Sequence, residues 1–75
     1  MFAYLLISLN EAREEEVLDN YIDMPEVKEG HILFGEWDLI LKLKLDNPED
    51  VASFVIEKVR CNPDIGLTST LIVAK

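Results

Sequence analysis

The sequence predicts an α+β sandwich in which two helices cover one face of a four-stranded antiparallel sheet. Three observations support this prediction. Segments of strand and helix character follow one another in the order strand, helix, strand, strand, helix, strand. Apolar and polar side chains alternate along the third strand, as expected where one face of a sheet is buried. The segment Met24-Pro25-Glu26-Val27 recurs in kind as Asn62-Pro63-Asp64-Ile65, which divides the chain into two similar halves.

The first half of the chain is predicted to form a strand, a helix and a second strand. Phe2–Leu9 is rich in apolar and aromatic residues and is the first strand candidate. We expect Asn10 to cap the following helix and Pro25 to end it. The second strand is predicted over Val27–Phe34. The helix is predicted from apolar residues at helical spacing, namely Val17, Leu18, Tyr21 and Ile22.

A tight hairpin at Gly35-Glu36 is predicted to connect the second and third strands. Glycine tolerates the positive φ that such turns require, and an acidic residue commonly follows it. The third strand is predicted over Trp37–Leu45. Its buried face should carry four leucines, namely Leu39, Leu41, Leu43 and Leu45.

The second helix has the clearest start signal in the chain. Asn47 is predicted to cap it and Pro48 to occupy its first turn. Pro63 should end this helix, and Leu67–Ala74 should form the last strand. The complete pattern is that of a ferredoxin-like βαββαβ sandwich. The helix should bury a stripe formed by Val51, Phe54, Val55 and Val59, joined by Ala52 and Ile56.

Length and composition favour one self-associating domain over residues 1–75. A chain this short has a thin core of its own, and small domains usually gain stability from disulfides, metals or oligomerisation. Cys61 is the only cysteine, which excludes an intrachain disulfide, and one histidine with one cysteine does not make a zinc site. We therefore expect no metal and no cofactor, and we favour self-association.

The net charge of −8 disfavours direct binding to nucleic acids and to anionic membranes. The seven Lys and Arg residues are dispersed along the chain. The longest apolar run, Phe2–Ile7, is far shorter than the ~20 residues that cross a bilayer, and it lacks the flanking features of a signal peptide. A cytoplasmic location is expected.

The sheet face opposite the helices is predicted to be apolar. It should carry Phe2, Tyr4, Leu6 and Ile40, with one further residue from Leu33 or Phe34 and one from Leu71 or Ile72. Full burial of about six such groups is worth roughly 9–18 kcal/mol. Lys42 and Lys44 should limit the covered area. We therefore predict a homodimer that packs sheet to sheet.

Four segments resemble the effector-binding module of the Lrp/AsnC, or feast/famine, transcription regulators. This module is called RAM, for regulation of amino-acid metabolism. The resemblance covers nearly the whole chain and is most specific at the hairpin, which is similar to the family's Gly-x-x-Asp signature. It departs from the family at Asp64, where glycine is common, and this leaves the local turn geometry open. The four segments are Ala3-Tyr4-Leu5-Leu6-Ile7, Met24-Pro25-Glu26-Val27, Gly35-Glu36-Trp37-Asp38-Leu39 and Thr68-Ser69-Thr70.

The resemblance implies a small-molecule sensing and oligomerisation module without catalytic activity. Family members dimerise sheet to sheet, and their dimers assemble into rings, often octamers, with amino acids bound between dimers. Because the first strand begins at residue 2, a preceding helix-turn-helix domain is not expected, and mixed assembly with full-length regulators is a plausible extension. The implied ligand-binding residues are Gly35, Glu36, Trp37 and Asp38, with Thr68, Ser69 and Thr70 as a weaker group.

Other interpretations of these residues remain open. Asp38 could cap hairpin amides instead of a ligand ammonium group, and Trp37 could fill an interface instead of walling a pocket. A small monooxygenase-type enzyme would need a deep cavity between helices and sheet that His31 or Tyr4 reaches. A purely structural oligomer would assemble without responding to any amino acid.

Overall fold

The structure, a computed structural model, describes all residues from 1 to 75 and confirms the predicted order of elements. The four strands form one antiparallel sheet in the order β2-β3-β1-β4, so β2 and β4 are its edges. The two helices cover one face, which is the predicted ferredoxin-like sandwich. The elements are β1 Phe2–Leu9, α1 Glu14–Ile22, β2 Val27–Ile32, β3 Leu39–Lys44, α2 Pro48–Phe54, a π-helical turn Val55–Val59 that continues α2, and β4 Ile65–Ile72.

The core lies between the sheet and the helices and is entirely apolar apart from one tyrosine hydroxyl. The predicted leucine face of β3 is confirmed: Leu39, Leu41 and Leu43 have no exposed surface, and Leu45 packs at the margin. The predicted stripe of the second helix is buried at its four main positions, whereas Ala52 and Ile56, which were predicted to join it, face away from the core and are exposed. The fourteen buried residues are Ala3, Leu5, Ile7, Val17, Tyr21, Val27, Leu39, Leu41, Leu43, Val51, Phe54, Val55, Val59 and Ile65.

The start of α2 follows the sequence prediction closely. The Asn47 side-chain oxygen accepts a hydrogen bond from the Asp50 amide at 2.9 Å, and Pro48 occupies the first turn. The last turn is wider than an α-turn, because the Arg60 amide donates to the Val55 carbonyl at 2.8 Å. The helical segment ends at Val59, four residues before Pro63, in agreement with the predicted stop.

The predicted cap of α1 is wrong. The helix begins at Glu14, and no side chain caps its first turn. Asn10 instead donates from its side-chain amide to the Pro63 carbonyl at 3.0 Å, and its backbone amide donates to the Asp64 carbonyl at 2.9 Å. These long-range bonds join the end of β1 to the start of β4, and they leave Asn10 too far from the helix to cap it.

The strand boundaries differ by a few residues from the prediction. β2 ends at Ile32 and β3 begins at Leu39, so the connection over residues 33–38 is longer than a two-residue turn. β4 begins earlier than predicted, because Ile65 pairs with Leu9. The turn at Asp64 needs no positive φ, and the Asn62 side chain accepts a hydrogen bond from the Asp64 amide at 2.9 Å.

A buried tyrosine joins the two helices. The Tyr21 hydroxyl donates to the Lys58 carbonyl at 2.8 Å and accepts from the Asn62 side-chain amide at 3.2 Å. Burial raises the pKa of Tyr21, and the hydrogen bond from Asn62 lowers it by less. This contact fixes α1 against the end of the second helical segment.

The face away from the helices is apolar at its centre, as predicted. Tyr4, Leu6 and Ile40 are half-buried there, and Phe2 is exposed. The strand register places Leu71 on this open face opposite Tyr4, whereas Ile72 lies on the helix side opposite Ala3. Lys42 and Lys44 lie over the Phe2 ring, with their ammonium nitrogens 4.7 and 5.7 Å from its centroid.

Candidate functional site

The connection between β2 and β3 is an exposed hairpin loop with one constrained glycine. Gly35 has a φ of 137°, the one positive φ in the chain, which a side chain would make unfavourable. Phe34 and Glu36 flank it and are exposed, whereas Trp37 and Asp38 are half-buried. The loop therefore presents exposed residues at its tip and half-buried residues at its base.

Asp38 makes three hydrogen bonds, two with β1 and one across the hairpin. Its backbone amide donates to the Ile7 carbonyl at 2.9 Å, and its carbonyl accepts from the Leu33 amide at 2.9 Å. Its carboxylate oxygen Oδ2 accepts from the Leu9 amide at 2.7 Å. The register of β1 against β4 shifts between Ile7 and Leu9, so this carboxylate satisfies an amide in a strand irregularity.

The geometry of Asp38 is compatible with both interpretations that the sequence left open. The carboxylate does cap a backbone amide, but the amide belongs to β1 and not to the hairpin. The second oxygen, Oδ1, makes no hydrogen bond within the chain. One half of the carboxylate is therefore structural, and the other is free to accept from an external donor such as an ammonium group.

The Thr68-Ser69-Thr70 segment lies on the other side of β1 from the hairpin. Thr68 pairs with Ile7, and Ile7 also pairs with Leu39 at the start of β3. Two strand spacings, about 10 Å, therefore separate Thr68 from the hairpin base. Alternation places Thr68 and Thr70 on the helix side and Ser69 on the open face.

The seven predicted ligand residues thus form two neighbouring groups in one protomer. The hairpin group and Thr68 lie near the same end of the sheet. Thr70 lies further along β4 and lines a shallow groove of about 340 Å³ beside the second helix. A ligand that touches both the hairpin and Thr70 would need a second subunit to bring them together.

Ser8 is a further residue at this end of the sheet that sequence reasoning missed. Its hydroxyl accepts from the Leu67 amide at 2.8 Å and donates to the Leu67 carbonyl at 3.4 Å. Together with the bond between Leu9 and Asp38, it joins the hairpin base and the start of β4 through β1. The signal in the sequence is a single hydroxyl near the end of an otherwise apolar strand.

The charge around this end of the sheet is negative. A shallow groove of about 470 Å³ lies beside the first turn of α1, which carries three consecutive glutamates. The cation there, Arg13, is already paired: it lies 2.6 Å from Glu16 and 3.5 Å from Asp64. Its hydrogen bond with Glu16 raises the pKa of the guanidinium. The surroundings suit a ligand with a positive group better than an anion.

His31 and Tyr4 do not meet the requirement of the monooxygenase alternative. The register places His31 opposite Ile40, and Tyr4 follows Ala3, so both lie on the open face away from the helices. His31 is exposed and lies 3.7 Å from the Glu29 carboxylate. Neither residue reaches a cavity between the helices and the sheet.

Comparison with known proteins agrees with the fold. The Lrp/AsnC ligand binding domain matches residues 3–75. The chain belongs to this family. An HTH-type transcriptional regulator from Pyrococcus furiosus is 41% identical over 59 residues, which cover 79% of the chain and 39% of that relative. The HTH-type regulator FL11 from Pyrococcus abyssi is 29% identical over the whole chain, which spans 49% of its length.

Solved structures of the family superimpose closely on this Lrp/AsnC domain. FFRP-DM1 is 40% identical with a TM-score of 0.90, and the match covers 96% of both chains. Escherichia coli AsnC has the same fold at 23% identity, with a TM-score of 0.90, over 99% of this chain and 50% of AsnC. A regulator from Neisseria meningitidis, solved as a complex with L-Met, shares the fold at 20% identity, with a TM-score of 0.83 over 99% of this chain and 49% of the regulator.

Family membership confirms that the chain is a regulatory ligand-binding domain and not an enzyme. The resemblance based on the hairpin and the strand segments is likewise confirmed. No helix is long and apolar enough to cross a bilayer.

Proposed function

We propose that this domain senses an amino acid and couples its binding to assembly, in the regulation of amino-acid metabolism. The observation that carries the proposal is the Asp38 carboxylate: one of its oxygens accepts a hydrogen bond from the Leu9 amide at 2.7 Å, and the other makes no hydrogen bond within the chain. The chain belongs to a family of ligand-binding domains, which supports a ligand as the partner of the second oxygen. This second oxygen suits the ammonium group that all amino acids share. The half-buried Trp37 beside it supplies an apolar wall for a side chain.

The binding site is proposed to lie between dimers. The apolar centre of the open face, formed by Tyr4, Leu6, Ile40 and Leu71, is covered by the same face of a second copy. Such a contact removes a patch that monomers rarely leave exposed. A neighbouring dimer then brings its Thr68, Ser69 and Thr70 to the hairpin, because one protomer holds Thr70 away from it.

Ligand binding between dimers favours the assembled form. A ligand that binds only the assembly stabilises it by RT ln(1 + [L]/Kd), which is about 2.7 kcal/mol per site at a hundredfold excess over Kd. This shifts the assembly constant by about a hundredfold per site. Mixed assembly with full-length Lrp/AsnC regulators would carry the same signal to DNA.

The test combines a calorimetric screen of the twenty amino acids, beginning with L-methionine, with native mass spectrometry. We expect at least one amino acid to bind and to increase the fraction of assemblies larger than the dimer. Asp38→Asn should weaken binding about tenfold or more, because it removes the negative charge. Asp46→Asn is the matched control, since Asp46 is an exposed acid in the loop between β3 and α2 and should leave binding unchanged.

Two results would contradict the proposal. Absence of binding by any amino acid at millimolar concentration would remove the sensing function and favour a structural oligomer. Equal affinity of the wild-type protein and Asp38→Asn would remove Asp38 from the binding site.

A further inference from the structure

The groove between the second helical segment and β4, the α2–β4 groove, has an apolar floor and one charged residue. Its volume is about 340 Å³, near the lower limit for a small-molecule site. Val51 and Val55 of its lining are buried, whereas Ile56 and Ile72 are 59% and 45% exposed. Arg60 is the only charged residue of the lining, which contains no aspartate or glutamate. The groove therefore offers apolar walls and one cation.

The Arg60 guanidinium has no ionic partner in its own chain. The three ion pairs of the protein involve Arg13 and His31 but not Arg60. This is unusual in a chain with seven Lys and Arg residues against fifteen Asp and Glu. A guanidinium at an apolar groove, without a carboxylate of its own chain beside it, can pair with the carboxylate of a bound molecule.

The π-helical turn determines the position of Arg60. The Arg60 backbone amide donates to the Val55 carbonyl, five residues earlier, at 2.8 Å. In a regular α-helix this carbonyl would accept from Val59, so the wider turn brings Arg60 back towards the side of the helix on which Val55 lies. Such irregular turns often occur at functional sites. Here the turn places a cation at the groove that Val55 lines.

The single cation selects among small apolar molecules by their charged group. A carboxylate can form two parallel hydrogen bonds with a guanidinium. An α-amino acid carries its ammonium group on the carbon next to the carboxylate, so this group would lie near the Arg60 guanidinium, which has the same charge. The lining contains no carboxylate to offset the repulsion. The groove thus favours a carboxylate without an ammonium group, in contrast to the acidic surroundings of the hairpin.

We propose that the α2–β4 groove binds a small aliphatic monocarboxylate, with the carboxylate on Arg60 and the apolar stem against Val55 and Ile56. Oxo acids, which form when amino acids lose their amino group, and short fatty acids share this chemistry. The exposed Thr70 hydroxyl lines the same groove and can donate to the oxo oxygen of the first class. The site is separate from the hairpin and requires neither amino-acid binding nor assembly of dimers.

Four probes with the same branched stem and different charged groups test the selection: isocaproate, α-ketoisocaproate, L-leucine and isoamylamine. Titrations of the intact protein, followed by amide chemical shifts, locate each binding event on the chain. We expect both acids without an ammonium group to shift the amides of Val55, Ile56 and Thr70, with dissociation constants of about 1 mM for ligands of this size. L-Leucine and isoamylamine should bind the groove at least about tenfold more weakly, because their ammonium groups lie near Arg60.

Two pairs of variants test the cation and the apolar groove separately. Arg60→Gln should weaken binding of both acids about tenfold or more, because it removes the charged donor. Lys58→Gln is its control, since it removes the same charge from an exposed position outside the lining. Ala52→Leu keeps Arg60 but fills part of the groove and should also weaken binding, whereas Ser53→Leu, at the next exposed position and outside the lining, should not. The amide spectra show that each variant is folded.

The outcomes separate the two sources of the carboxylate from failure of the proposal. Tighter binding of α-ketoisocaproate than of isocaproate identifies oxo acids as the ligand class, and equal or weaker binding identifies short fatty acids. The proposal is overturned if neither acid shifts the groove amides at about ten times the expected dissociation constant, or if isoamylamine binds there equally well. It is also overturned if Lys58→Gln weakens binding as much as Arg60→Gln, or if Ala52→Leu leaves binding unchanged. Binding of L-leucine at the hairpin is measured separately, from the amides of residues 35–38, so this proposal and the proposed function fail independently.

Discussion

Replacing Asp38 with alanine should destabilise the fold as well as the proposed binding site. The substitution removes the acceptor of the Leu9 amide, a short bond of 2.7 Å to a charged oxygen. Hydrogen bonds to charged groups contribute about 1.5–3 kcal/mol, and a half-buried carboxylate falls in the lower part of this range. The Leu9 amide then loses its partner at an irregular part of β1, where no strand neighbour replaces it. We expect a loss of about 2 kcal/mol.

Urea and thermal unfolding measure this loss directly. For a domain of this size, about 2 kcal/mol corresponds to a decrease in Tm of roughly 8–16 °C. Protein concentration must be the same in all samples, because dimerisation contributes to the apparent stability. Amide hydrogen exchange should accelerate at Leu9 more than at Leu5, which lies in the regular part of β1.

Two matched variants separate the hydrogen bond from the charge. Asp38→Asn keeps an oxygen acceptor and should lose less than Asp38→Ala. Glu36→Ala removes an acid from the same loop that has no hydrogen bond within the chain, and should change stability by less than about 0.5 kcal/mol. If Asp38→Ala unfolds at the same urea concentration as Glu36→Ala, the structural role of the Asp38 carboxylate is refuted.

Three further substitutions test other parts of the structure. Tyr21→Phe leaves the Lys58 carbonyl without its donor and should lose about 1–2 kcal/mol in urea unfolding. Because burial raises the pKa of Tyr21 in the folded state above its ordinary value of 10.0, wild-type stability should be unaffected at lower pH and decrease as the pH rises above about 10. Tyr21→Phe should lose that component of the decrease, and an unchanged pH dependence would contradict the assignment. Asn47→Ala should cost about 1 kcal/mol through loss of the helix cap, whereas Asn47→Asp should cost little, and equal loss in both would argue against capping. Gly30→Val should cost about 1–3 kcal/mol in thermal unfolding, because an added Cβ would lie 2.7 Å from a Leu18 methyl group, and a neutral result would show that α1 shifts freely.

The proposed site illustrates what local sequence patterns can and cannot predict. Gly35 was identified from turn chemistry alone, and its φ of 137° agrees with that prediction. The bond from Leu9 to Asp38 joins residues 29 positions apart and depends on a shift in strand register. No local pattern in either segment encodes this shift, so the hydrogen bond between the Leu9 amide and the Asp38 carboxylate could not be predicted from the sequence.

The contrast between Asn47 and Asn10 has the same cause. Both residues precede an acidic segment, and both were predicted to cap a helix. Asn47 does so, because its partner is three residues away and Pro48 favours the helical turn. Asn10 instead binds the Pro63 carbonyl, which the fold brings to it from the other half of the chain.

The sequence by itself determined the order of elements, the buried faces of the first and third strands and the family of the domain. These properties depend on side-chain periodicity and on turn and cap residues, whose effects extend over only a few positions. Only the tertiary structure decided the strand register, the partners of Asp38 and Asn10, and the separation of Thr70 from the hairpin. These features depend on contacts between distant segments. Many pairings of such segments have comparable free energies, and packing of the core selects one of them.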